Sequence, residues 1–248
     1  MFKKIVVGCV LSGAALGSWA GAIWDLAADW SDTINPNGAW ALNQGSTPLT
    51  NIPDFTAADT SGIPAQPAWA PSNSLGNFLP MWMKARATVA DSWQVGDVLV
   101  HSTGRYNSAG SGFANVTWTS PFSGTANVSG ALWEIRDIGR ANVWTLLHNG
   151  TTLATGTLVD GGGHGRINPQ TFAFSSLAVS AGDVLTLKLD SASADGAGEL
   201  AGVNFKIAQI SVVPEPGTYL LMLAGVALLA SVLRRQGSAR PASESRLH

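Results

Sequence analysis

"NVWTLLHNGTTLATGTLV", residues Asn142 to Val159, reads as two arms of β-branched and apolar residues on either side of Asn149-Gly150. Asn-Gly readily takes positive φ at both central positions, as a two-residue type I′ turn requires, so the stretch predicts a β-hairpin. The same texture extends in both directions. Upstream, "WMKARATV" (Trp82 to Val89), "DVLVHST" (Asp97 to Thr103), "ANVTWTS" (Ala114 to Ser120) and "GTANVSGALWEI" (Gly124 to Ile135) read as strands of period two. Downstream, "TFAFSSLAVSAGDVLTLKLDS" (Thr171 to Ser191) and "GELAGVNFKIAQISVV" (Gly198 to Val213) supply three more. Eight or more strands with no helix between them predict an all-β chain, a two-sheet antiparallel β-sandwich of jelly-roll type. Val95-Gly96-Asp97-Val98-Leu99 and Ala181-Gly182-Asp183-Val184-Leu185 look like equivalent turns leading into strands, since no longer repeat is sustained.

Ahead of these strands the chain is turn-rich and aromatic. Asn35-Pro36-Asn37-Gly38 is a turn signal, because Pro fixes φ and Asn-Gly adopts positive φ, and Trp40 follows it. Six prolines between Pro48 and Pro80 predict a loop with little strand and no long helix.

Composition points to an exported protein. Only 12% of the 248 residues are charged, and small polar residues crowd the stretches between short apolar runs. Between Ile23 and Val213 there are eight Lys and Arg against fourteen Asp and Glu, a net of −6, which excludes nucleic acid as a partner. Residues 1–22 read as a secretory signal peptide: Lys3 and Lys4, an apolar run from Ile5 to Leu16, and Ser18-Trp19-Ala20 or Ala20-Gly21-Ala22 for cleavage. Val6-Val7-Gly8-Cys9 faintly imitates a lipoprotein box, but it follows Lys4 too closely for an apolar region of the usual length. Cys9 is the single cysteine, so its removal excludes disulfides and thiol chemistry from the ectodomain, residues 23–213.

The chain closes with "VVPEPGTYLLMLAGVALLASVLRRQ", residues Val212 to Gln236. Its 17 uncharged residues from Gly217 to Leu233 would rise roughly 26 Å as a helix, against about 30 Å of bilayer core. They predict a single C-terminal transmembrane helix over 217–233, with Arg234 and Arg235 on the cytoplasmic side and a polar tail at 237–248. A buried core helix is the other reading, disfavoured because no polar face recurs at helical spacing.

Pro214-Glu215-Pro216, an apolar helix and then Arg234-Arg235 resemble the PEP-CTERM sorting signal of Gram-negative, biofilm-forming bacteria. The resemblance covers residues 214–236 and implies recognition by an exosortase, cleavage near Pro-Glu-Pro, and passage from the inner membrane to the cell surface or the exopolysaccharide. One departure is that the chain runs on for 13 residues, Gln236 to His248. A looser resemblance, over about residues 25–210, rests on Asn-Pro-Asn-Gly-x-Trp, Trp118 to Thr125 and Ala181-Gly182-Asp183. It is to jelly-roll domains that precede such tails and are similar to carbohydrate-binding modules, which implies a surface glycan as partner.

Signs of catalysis are few. Gly-x-Ser-x-Gly, His-Glu-x-x-His and P-loop motifs are all missing, so the chain reads as a non-enzyme without a cofactor. His101, His148 and His164 fall in three separate elements, and turn or edge positions account for them better than a shared metal. Asp190, Asp195 and Glu199 are candidate ligands for a structural Ca²⁺, although their spacing fits no EF-hand. Glu134 with Asp137, or Asp195 with Glu199, would be the carboxylate pairs of a glycosidase, but such residues on an acidic domain are ordinarily solvated. "DGGGHGR", Asp160 to Arg166, is a mobile hairpin loop in preference to an anion cradle, since no helix follows it.

Aromatic residues are the better lead. Nine tryptophans lie beyond the signal peptide against two tyrosines, and flat rings stack on sugar faces. Trp118, Trp133 and Trp144 fall in predicted strands and read as core. Trp40, Trp69, Trp82 and Trp93 lie near turns and are the expected exposed contacts, joined by His101, Arg105 and Tyr106 of the loop "HSTGRYNSAGSG" (His101 to Gly112). Two functions follow: an exported glycan-binding protein of the surface or matrix, or a structural matrix protein without a specific ligand.

Overall fold

The computed structural model describes residues 21–56, 64–88, 92–108, 112–210 and 216–238, with side chains of the last segment described from 221 to 235. The expected signal peptide lies outside them except for Gly21 and Ala22, as do Pro214, Glu215 and the tail from 239 onward.

Fourteen strands are found among the described residues. In chain order they are β1 (Ile23–Asp25), β2 (Trp40–Gln44), β3 (Thr47–Pro48), β4 (Thr50–Phe55), β5 (Gln66–Ala70), β6 (Met81–Lys84) and β7 (Val98–His101). Next come β8 (Ala114–Thr119), β9 (Gly124–Glu134), β10 (Ala141–His148), β11 (Thr151–Val159), β12 (Gln170–Val179), β13 (Val184–Ser191) and β14 (Leu200–Gln209). One sheet runs β12-β9-β14-β7-β6-β5-β4 with β1 also on β14; the other runs β11-β10-β13-β8-β2-β3. Every strand pairing is antiparallel, and the chain is the two-sheet sandwich its strand pattern predicts. Asn149 at φ 50° and Gly150 at φ 82° turn β10 into β11, as the I′ composition demands. The two Gly-Asp turns are equivalent too: Gly96 and Gly182 have positive φ, and Asp97 and Asp183 each accept a 2.8 Å hydrogen bond from the backbone N–H three residues earlier.

Inward residues of both sheets make the first core. Leu185, Leu187 and Leu189 of β13 and Val116 and Trp118 of β8 face Val203, Phe205 and Ile207 of β14. Trp40 and Phe172 set their rings edge-on to Phe205 at 5.4 and 5.8 Å. Each such aliphatic or aromatic side chain stabilises the fold by about 1.5–3 kcal/mol relative to exposure. A second core lies on the opposite face of the larger sheet. There Met81 and Met83 of β6, Leu99 of β7, Trp133 of β9 and Leu200 of β14 meet Phe78, Leu79 and Trp93 from the connecting segments. β6 and β7 therefore feed both cores, Trp82 and Val100 inward and Met81 and Leu99 outward, so both faces of these two strands are apolar where period two leads one to expect a polar face. Both cores and all fourteen strands lie within Gly21–Ile210, which accordingly holds the burial needed to fold by itself.

The proline-rich segment departs from expectation, since it contains β3, β4 and β5. Pro53 and Pro67 are accommodated where the β4–β5 register breaks, between Ile52 and Phe55, and β4 is an edge strand. A proline there has no ladder hydrogen bond to forfeit.

The C-terminal segment is helical, α1 (Pro216–Ser238). Among the described residues no helix is long and apolar enough to cross a membrane. Its described side chains are largely exposed, Leu221 at 76%.

Candidate functional site

The end of the sandwich beyond β7 is built on a buried polar knot. Ser102 donates its hydroxyl to Asn142 Oδ1 at 2.6 Å and accepts the Glu199 N–H at 3.0 Å, while Asn142 Nδ2 donates to the Glu199 carbonyl at 3.1 Å. These bonds tie the segment after β7 to the start of β10 and to the segment before β14. The backbones approach so closely that a Cβ on Gly104 would overlap Gly198, and one on Gly198 would overlap Ser102. Arg105 N–H then donates to the Gly196 carbonyl at 2.7 Å, which holds the loop outward. Arg105 and Tyr106 emerge together, the guanidinium carbon 4.6 Å from the ring centroid and Tyr106 48% exposed. His101 does not join them. It is buried with Nδ1 2.9 Å from the Ser102 carbonyl, and burial pulls its pKa down to about 4, which keeps its ring neutral near pH 7.

The four tryptophans expected at the surface are core residues. Trp40, Trp69, Trp82 and Trp93 are 3, 3, 0 and 4% exposed. Trp82 lies between the two sheets and Trp93 lies under the outer cover, while Trp40 Nε1 donates to Asp29 at 3.0 Å and Trp69 Nε1 to the Ser31 carbonyl at 2.9 Å. Turn proximity failed as a guide because Trp40, Trp69 and Trp82 point into the core between the sheets and only Trp93 is buried by the cover on the outer face.

The candidate calcium ligands are likewise held apart. Asp190 pairs with Lys188 at 2.7 Å, Asp195 accepts the Ala197 N–H at 2.8 Å, and Glu199 is 2% exposed and takes Arg136 at 3.2 Å. The histidines do not converge either: His148 Nε2 lies 3.1 Å from Asp183, remote from His101 in the register. Among the described residues no group of three or more His, Cys, Asp or Glu is placed to hold a metal.

Carboxylates gather where β9 ends. Burial pushes the Glu199 carboxyl up against the opposing pull of Arg136, and burial with the charge of Asp160 pushes Glu134 up. Glu134 Oε1, Asp160 Oδ1 and Glu199 Oε2 are buried with no hydrogen-bond partner among the described residues. Glu199 is thus structural rather than solvated. The glycine-rich segment Asp160 to Arg166 lies in the connection from β11 to β12, which carries the chain from one sheet to the other instead of closing a hairpin. A side chain at Gly161 would meet the Asp137 carboxylate, and one at Gly162 the Val159 carbonyl and then the Glu134 carboxylate, an environment that repels an anion.

Sequence reasoning missed a groove on the outer face of the larger sheet. β7 pairs with β14 over Leu200–Val203 and β1 pairs with it over Lys206–Ala208, with the Leu26 N–H reaching the Phe205 carbonyl at 3.0 Å, so that Asn204 lies in the gap between the two strands. The notch opens into a cavity of about 220 Å³ that Asp97, Ala131, Trp133, Arg166, Pro169 and Asn204 help to line. The Trp133 indole lies across Gly202, where a Cβ would overlap it, and donates to the Ser92 carbonyl at 3.3 Å. Arg166 stands 5.8 Å from that ring and makes a two-pronged pair with Asp97 at 2.8 and 3.0 Å. The signals were Gly202 in the middle of a strand and Asn204 between Val203 and Phe205.

Of the sorting residues, Pro216 opens α1 and Arg234 and Arg235 lie near its end. Residues 212–236 match the PEP-CTERM protein-sorting motif. No curated protein matches the chain. Among solved structures it is similar to the CBM36-1 domain of a multidomain xylanase from the hindgut metagenome of Trinervitermes trinervoides, at 16% identity, 51% of this chain, 86% of that one and a TM-score of 0.29. It is similar to the CBM22-1 xylan-binding domain from Paenibacillus barcinonensis Xyn10C, at 12% identity, 53% and 87% coverage and a TM-score of 0.31. A family 35 carbohydrate-binding module from Clostridium thermocellum gives 10% identity, 51% and 88% coverage and a TM-score of 0.31.

Proposed function

We propose that this chain is an exosortase-sorted protein of the cell surface or extracellular matrix whose β-sandwich binds a glycan. The observation that carries the reading is the sorting motif at 212–236, placed three residues after the last strand ends at Gln209. In this reading the signal peptide exports the chain and the apolar α1 holds the sorting segment at the inner membrane until the exosortase acts. Cleavage near Pro214-Glu215-Pro216 then releases the sandwich. Support for the membrane step comes from the exposed Leu221, Met222, Leu223 and Leu229 of α1. The sandwich acts by binding, without turnover.

Replacing Pro214, Glu215 and Pro216 by alanine tests the sorting step. In the source bacterium the native chain is expected in the matrix or surface fraction in shortened form, and the variant at full length in the inner membrane. Identical fractionation of the two refutes it. For binding, Gly21–Ile210 is expected to be retarded in gels containing the bacterium's own exopolysaccharide. No retardation leaves a structural matrix protein as the better reading.

A further inference from the structure

The geometry points to the groove beside Asn204 as the sugar-binding site of the sandwich, shaped for one neutral pyranose unit at a chain end or side branch; this rests on the glycan-binding reading above. Size comes first. At about 220 Å³ the cavity falls below the roughly 300 Å³ at which sites for drug-sized ligands begin, so it takes one ring and not a run of them.

Its chemistry is that of a polyhydroxylated ring. Ala131, Trp133 and Pro169 give an apolar wall for the C–H face. Asn204 projects from the outer face, because its neighbours Val203 and Phe205 point into the inter-sheet core, and it is exposed. No hydrogen bond to its amide is made among the described residues, so it offers two donors and an acceptor. Arg166 and Asp97 are already locked together, and the guanidinium keeps outward N–H groups while the carboxylate keeps lone pairs. Adjacent hydroxyls on a pyranose match that alternation of donor and acceptor.

Charge narrows the class further. Arg166 and Asp97 neutralise each other within the cavity wall, so a uronate would meet no unpaired cation there and would lose its hydration. A neutral ring carries no such penalty. The groove is also preorganised: Trp133 is fixed by Gly202 and Ser92, and Arg166 by Asp97.

The test is affinity electrophoresis of Gly21–Ile210 in the bacterium's exopolysaccharide, with free methyl β-glucopyranoside, methyl β-galactopyranoside or sodium glucuronate as competitors. Two variants are compared: Asn204→Ala and Ala131→Phe. Expected are release by a neutral glycoside and not by glucuronate, at least tenfold weaker retardation for Asn204→Ala, and loss for Ala131→Phe. Asn204→Ala removes only an unengaged surface amide, so it stays decisive if the bulkier Ala131→Phe fails to fold. Equal retardation of the native fragment and Asn204→Ala overturns the site while glycan binding stands. Absence of retardation in the native fragment overturns glycan binding and the site together.

Discussion

His101 closes β7 with its ring enclosed, and the carbonyl of Ser102 holds Nδ1 at 2.9 Å. Burial lowers its pKa from 6.5 to about 4. Between those values the unfolded chain binds a proton that the folded chain refuses, so the contribution of His101 to stability is full above pH 6.5 and is lost as pH falls toward 4. The shift corresponds to about 3 kcal/mol. Urea unfolding of Gly21–Ile210 is expected to show a midpoint that drops between pH 7 and 4.5, and His101→Gln should flatten that drop. Glu134 and Glu199, whose carboxyls are pushed up, act in the opposite sense just above pH 4.5 and are common to both proteins. An unchanged pH profile in the variant would show that His101 is not the group being titrated. At this scale the chain's chemistry was hard to read in advance: His101, Glu199 and the four tryptophans are polar or turn-adjacent in sequence, yet each is enclosed by residues from distant strands.

At the scale of elements, the β10–β11 hairpin shows how much a local signal can specify. Asn149 and Gly150 take positive φ, and Asn149 also ties the turn to β13 by donating to Asp183 Oδ1 at 2.9 Å and accepting the Val184 N–H at 2.8 Å. Gly150→Ala places a side chain at φ 82° and is expected to cost about 1 kcal/mol. In a domain of this size that lowers the melting temperature by about 2–4 °C, measurable by circular dichroism; an unchanged value would mean the turn relaxes at no cost. β7 to β14 were all legible from period two and turn residues, whereas β4 and β5 were hidden by their prolines. A proline excludes a strand only where its N–H is needed, and the register break between Ile52 and Phe55 removes that need.

For the molecule as a whole, burial sets the division between what was readable and what was not. The sequence by itself determined the all-β class, the type I′ hairpin, the twin Gly-Asp turns and the sorting segment at 212–236. All of these depend on residues adjacent in the chain, whose φ preferences and hydrophobic period act locally. Tertiary structure alone decided that the larger sheet carries a core on each face, which buries Trp40, Trp69, Trp82 and Trp93. It also decided that β1 and β7 share one side of β14 and leave a notch at Asn204. Solvent exposure and concavity are properties of surfaces assembled from segments far apart in sequence, and Asp97, Trp133, Arg166 and Asn204 became neighbours only when the strands paired.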